Sequence, residues 1–265
     1  MFIDTHTHIC PDKIAEAATK QAAEFFKTTP EGLMSLSGLL AHMERCGIDA
    51  SVTFCVAEKP SVVRPANDFL MKVCDNKRVI GLGTLHPDFE DYKAEIRRLR
   101  AGGIKGIKFH SLIQDLYPDE ERLMRFYPEM GDDMIAYFHM GQGSGHPSEP
   151  VKATPERLAR VLEAFPQLKV VAAHFGGYGM VQEAMKHLAG KNLYFDTCWT
   201  PPLPKPDPKL ATDMIKKHGA NRFLFGTDYP FGNGLGDRDW LMRLPLSDRE
   251  KERILGDNAR ELFGI

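Results

Sequence analysis

The chain has 265 residues, of which 43% are hydrophobic and 26% charged, enough apolar surface to offset chain entropy, so disorder is excluded as a dominant state. Its 34 Lys and Arg stand against 36 Asp and Glu, a net charge of −2. With no basic stripe, a nucleic-acid backbone is excluded as the main partner. Cys10, Cys46, Cys55, Cys74 and Cys198 are scattered and form no Cys-x-x-Cys pair, which argues against a disulfide scaffold or a thiolate zinc site.

In chain order, eight short β-rich runs are predicted at 1–7, 51–56, 79–85, 104–109, 134–139, 168–174, 192–197 and 222–227. The first run has neither the basic nor the apolar region of a signal peptide. No apolar run approaches the length of a membrane span, so no membrane partner and a cytoplasmic location are expected. The segment 9–37 is a long first excursion, read as helical and lid-like. Thr154-Pro155-Glu156 is an N-cap followed by proline at the first helical position. Ser247-Asp248-Arg249-Glu250 is a capping box that opens the last helix. The stretches 141–146 and 231–236 are glycine-rich loops, and the prolines of 200–206 make a stiff one. Eight strand-helix units of roughly 33 residues each predict an α/β chain folded as one (β/α)8 TIM barrel domain over 1–265. An open doubly wound sheet is the alternative, but no glycine-rich dinucleotide fingerprint follows the first strand.

The chemistry-bearing residues fall at strand ends. His6 and His8 end the first strand, His139 the fifth, His174 the sixth and Asp228 the eighth, while His110 follows the fourth. In a parallel barrel all these ends meet at one mouth. His6 and His8 are two apart and share a strand face. With His139, His174 and Asp228 they offer the nitrogen and oxygen donors of an open catalytic zinc site. Each histidine alone reads as an ordinary core or surface residue; the joint pattern carries the assignment, because ionisable groups at a barrel mouth need partners.

Lys108 faces the barrel interior, where it is read as a carbamylated metal bridge, a substrate anchor or a paired structural group. His110 is placed against substrate or behind a ligand, and Arg64, in the loop after strand two, is a candidate holder of an anionic substrate. His42, His187 and His218 read as surface residues. His86 is placed near the pocket and His146 on a loop that could touch substrate. Cys55 and Cys198 read as small buried residues.

The stretches Ile3-Asp4-Thr5-His6-Thr7-His8, Gly103 to His110, Val170 to Gly177, Phe225 to Pro230 and Ile254 to Phe263 resemble the amidohydrolase superfamily, and within it the amidohydrolase-related family. That family holds aminocarboxymuconate semialdehyde and resorcylate decarboxylases beside many metal-dependent hydrolases. The resemblance implies that His6, His8, His139 and Asp228 bind one Zn2+ and that His174 stands beside it. In a binuclear version, His174 and a carbamylated Lys108 would hold a second ion, and other divalent transition metals fit the same donors.

The main functional expectation is a hydrolase that cleaves a C–N or C–O bond of a small amide, lactone or ester, with Asp228 as proton acceptor and His174 as polarising group. The alternative is a nonoxidative decarboxylase of a small hydroxyaromatic or muconate-type acid. A second alternative is a non-catalytic zinc-binding barrel. A small-molecule substrate is the expected partner, and a symmetric homodimer is the default assembly.

Overall fold

The structure, a computed structural model, describes residues 1–143 and 150–265. Eight parallel strands run in sequence order around a sheet: β1 (Ile3–His8), β2 (Ala50–Phe54), β3 (Val79–Thr84), β4 (Gly106–Phe109), β5 (Ile135–Phe138), β6 (Lys169–Ala172), β7 (Tyr194–Asp196) and β8 (Phe223–Leu224). The seam between the last and first strands closes through the backbone. Thr5 N donates to Phe225 O, Asp228 N to His6 O and His8 N to Tyr229 O, each at 2.8 Å. This is the (β/α)8 TIM barrel.

Two predicted strands end early. β8 stops at Leu224, and beyond it Thr227 is turned to Asp4: its N and Oγ1 donate to the Asp4 carboxylate at 3.0 and 2.6 Å. β6 stops at Ala172 because His174 and Phe175 take positive φ angles of 59° and 53°. In both places the chain leaves the sheet where it enters the site.

The helices are α1 (Asp12–Phe26), α2 (Leu36–Cys46), α3 (Val63–Val73), α4 (Tyr92–Ala101), α5 (Glu121–Met124), α6 (Tyr127–Met130), α7 (Pro155–Ala164), α8 (Val181–His187), α9 (Pro208–His218), α10 (Gly234–Arg243), α11 (Asp248–Glu252) and α12 (Asn258–Phe263). The first excursion is helical, as read, through α1 and α2. Thr154 accepts from Arg157 N and caps α7, and Ser247 with Glu250 forms the capping box of α11. No helix among the described residues is long and apolar enough to cross a membrane.

Alternation along the strands divides the core. Ile107, Phe109, Phe138 and Val170 pack under the helices, whereas Val52, Phe54, Tyr137 and Val171 belong to a separate cluster inside the barrel. His42 and His218, expected at the surface, are buried. His42 stacks on Tyr229 with ring centroids 4.6 Å apart, and His218 bonds Gly190 N and Leu193 O. Both sit on the inward faces of α2 and α9, where an imidazole replaces an apolar side chain.

Gly141 places the loop after β5. Its φ is +85°, and an added Cβ would lie 2.2 Å from Tyr178 N, so only glycine fits.

Asn258 anchors the C-terminal helix to the barrel. Fully buried, its Nδ2 donates to Ala220 O and Phe223 O, both at 2.7 Å, at the start of β8. Asn258→Ala removes two buried hydrogen bonds and is expected to cost about 2–4 kcal/mol in urea unfolding. An unchanged midpoint would show that α12 docks without this anchor.

Candidate metal centre and active-site cavity

The ends of β1, β4, β5 and β6 and the turn after β8 bring the histidines together with Asp228. β1 carries an irregularity between Asp4 and Thr7, where its register against β2 shifts, as at a bulge that re-aims side chains. The His6 and His8 rings lie 5.2 Å apart. Asp228 Oδ1 is 3.3 Å from His6 Nε2 and 3.2 Å from His8 Nε2. His174 Nε2 is 3.0 Å from His139 Nδ1, and His139 stacks on His110 at 4.2 Å. Among the described residues, donor atoms of His6, His174, Cys198 and Asp228 all lie within 4.8 Å of one another.

Beneath this cluster lies a carboxylate that the sequence reading passed over. Asp196, at the end of β7, is fully buried. Its Oδ2 is 2.7 Å from His6 Nδ1 and accepts from Tyr137 OH at 2.6 Å. Its Oδ1 accepts from His174 N at 2.7 Å and from Cys198 N at 3.2 Å. Cys198, read as a small buried residue, is buried here with Sγ 3.0 Å from His6 Nδ1. A signal for Asp196 was present: it ends a β-rich run in the same way as Asp228.

These contacts test whether the residues fit a metal. Bonding to Asp196 assigns the His6 proton to Nδ1. Nε2 then presents a lone pair toward the Asp228 carboxylate, two electron-rich atoms facing each other, as a shared cation requires. A carboxylate behind a histidine is also the usual support for a metal ligand. Burial lowers the pKa of His6, His8, His110 and His139, and that of His174 to about 4, which favours the neutral imidazole that a metal binds. Burial pushes Asp228 up, but His6, His8 and His174 around it outweigh burial and keep it ionised. The donor set fits a divalent cation.

Asp228 (φ +66°) and His174 (φ +59°) are non-glycine residues in the left-handed region. Such backbone is costly and persists where the surroundings enforce it. Asp196 does this for His174 through the backbone N–H. For Asp228, Thr200 Oγ1 donates to Oδ2 at 3.2 Å. Tyr178 OH in turn donates to Thr200 O at 2.6 Å and holds the loop after β7.

Lys108 is fully buried below the cluster, with Nζ 3.1 Å from His6 Nε2 and over the rings of Phe54 and Tyr137 at 4.4 and 4.6 Å. Burial lowers its ammonium to about 8.

Above the cluster opens a cavity. His8, His110, His139, His174 and Asp228 line its polar floor; Phe26, Met34, Ile113 and Phe231 are among its apolar walls. Two of these walls, Phe26 and Met34, come from the first excursion, which thus roofs the mouth.

Arg64 is not among the lining residues and corrects the expectation of a substrate anchor there. It lies on α3, half exposed, paired with Asp91 and 3.8 Å from Glu95. His86 does not line the cavity either; its Nδ1 accepts from Asp88 N. His146 lies outside the described residues.

The sequence model of the family described as Amidohydrolase matches residues 3–265. A 2-amino-3-carboxymuconate-6-semialdehyde decarboxylase of Caenorhabditis elegans is 30% identical over 155 residues, 51% of this chain and 38% of that protein. A gamma-resorcylate decarboxylase of a Polaromonas species is 38% identical over 53 residues, 20% of this chain and 16% of that protein. The chain thus spans well under half the length of these relatives. A solved 5-carboxyvanillate decarboxylase from Novosphingobium aromaticivorans, complexed with manganese and 4-hydroxy-3-methoxy-5-nitrobenzoic acid, superposes with a TM-score of 0.75 at 19% identity, covering 100% of this chain and 96% of that one. At that identity the likeness shows the fold. The hydrolase expectation is corrected by these findings: each of the three relatives is a decarboxylase. A histidine and carboxylate centre is common to both reactions, so the donor pattern alone could not separate them.

Proposed function

The chain belongs to the Amidohydrolase family, and from that premise we propose that it is a metal-dependent, nonoxidative decarboxylase of a small hydroxyaromatic or muconate-type acid. The observation that carries this reading is the setting of Asp228. Its Oδ1 is turned to His6 and His8, its Oδ2 is held by Thr200, and it lines a cavity walled by Phe26, Ile113 and Phe231.

His6, His8, His139 and Asp228 would hold one divalent cation, with His174 beside it. When bound, the cation supplies Lewis-acid attraction for the substrate carboxylate and a neighbouring oxygen. The apolar walls exclude water and strip the carboxylate of hydration, which favours release of neutral carbon dioxide. The C–C bonding pair stays on the substrate carbon and is captured by one proton, which the ionised Asp228 first takes up from the substrate hydroxyl or from solvent and then delivers to carbon, with His174 beside it. His110, on the cavity floor, is placed to touch the ring. No water is consumed. Zinc is the metal expected from the donors; manganese accompanies the solved relative.

Elemental analysis should find about one equivalent of divalent metal per chain. Chelation should lower release of carbon dioxide from carboxyl-labelled hydroxybenzoates about 100-fold or more, with recovery on adding zinc or manganese. Full activity in chelated, metal-free protein would overturn the reading.

A further inference from the structure

We propose, building on the decarboxylase reading, that the cavity admits a single carboxylate: the substrate is a ring monocarboxylate whose far end is neutral and carries a hydroxyl read by Thr28. A muconate-type dicarboxylate is thereby excluded.

Among the described residues, no Lys or Arg lines the cavity, and the sequence 144–149 contains neither. Of the cations elsewhere, Lys27 beside Thr28 is exposed and does not line the cavity, and several others are already engaged. Lys205 Nζ is 2.6 Å from Asp237 Oδ1 and lies over Trp240. Lys152 pairs with Asp115 at 2.5 Å, and Arg64 with Asp91. Lys108 lies beneath His6 and is fully buried. The carboxylate that leaves is accounted for by the metal centre. A second one would sit against Phe26, Ile113 or Phe231 with no cation to balance it, and a desolvated charge without a counter-charge is strongly disfavoured.

The cavity nevertheless offers unused polarity. Thr28 Oγ1 and His110 Nδ1 are buried and have no hydrogen-bond partner, and both residues line the cavity. His110 is 4% exposed, so water does not readily satisfy it. A neutral hydroxyl can donate to or accept from either atom without bringing charge. Thr28 follows α1 and belongs to the first excursion, which roofs the cavity, whereas Asp228 follows β8. A ring that lies between floor and roof would present its far hydroxyl there.

Calorimetric titration of the metal-loaded protein tests this independently of turnover. Salicylate and 2,4-dihydroxybenzoate are compared with 2-hydroxyisophthalate and cis,cis-muconate. The monocarboxylates should bind about 100-fold or more tightly than the dicarboxylates. Thr28→Val should weaken 2,4-dihydroxybenzoate about tenfold while leaving salicylate unchanged, and Thr28→Ser should restore it. Equal or tighter binding of either dicarboxylate would overturn the proposal, as would binding of none of the four acids. An unaltered affinity in Thr28→Val would remove Thr28 from it. Release of carbon dioxide from the same acids separates the two readings. Selective binding without release would sink the decarboxylase and leave the charge selection standing; release from the dicarboxylates would do the reverse.

Discussion

Asp228→Asn should lower decarboxylation about 1000-fold or more while the barrel melts as before. Asn keeps the side-chain shape and tolerates the left-handed backbone that Asp228 adopts at φ +66°. It cannot carry a proton to carbon, and general acid catalysis is worth 10²- to 10⁴-fold, on the order of the loss expected. Its oxygen can still face His6 and His8. Metal content measured alongside kcat therefore divides the loss: turnover lost with metal retained belongs to proton delivery. An Asp228→Asn protein with wild-type kcat would remove Asp228 from the reaction.

The second large effect is expected at a residue that touches no substrate. Asp196→Ala would strand His6 Nδ1, Tyr137 OH and the backbone N–H groups of His174 and Cys198 in a site with no solvent. Breaking such a buried arrangement costs about 3–5 kcal/mol. Loss of the carboxylate behind His6 should also weaken metal binding about 10- to 100-fold. Urea unfolding and metal titration measure the two terms separately. The pH dependence follows from the same contacts. Burial raises Asp196, but His6 and His174 and their hydrogen bonds prevail and hold it below its ordinary value. A lowered carboxylate stabilises the fold above its unfolded pKa of about 4, and that stabilisation is lost as the pH falls further. Asp196→Asn should accordingly flatten the acid limb of the stability profile. Wild-type stability and metal affinity in Asp196→Ala would show that the hub does not organise the site.

How much of this was legible in the sequence follows from which forces are local. Thr154 and Ser247 cap their helices through side chains three residues from the donors they satisfy, so the caps could be read directly. The strand-end positions of His6, His8, His139, His174 and Asp228 were legible once eight parallel strands were expected. The backbone at His174 and Asp228 was not, because it is imposed by Asp196 and by the β1 seam, far away in sequence. Arg64 was misplaced because its loop becomes α3, whose solvent face turns it toward Asp91. His42 and His218 were misread because an imidazole that packs on a core ring, as His42 does on Tyr229, or finds backbone partners, as His218 does, can replace a core side chain. The reaction class was hidden for another reason. Hydrolysis and decarboxylation share the metal centre and differ in the cavity above it, whose walls come from Phe26, Ile113 and Phe231 on separate connections.

The most direct test of the central claim is the fate of one proton. Metal-loaded protein is given a hydroxybenzoate in deuterium oxide, and the product is read by NMR. One deuterium is expected at the carbon that lost carbon dioxide, with one carbon dioxide per product and loss of both signals in Asp228→Asn. An acid recovered intact, or labelling and release that survive unchanged in Asp228→Asn, would contradict it.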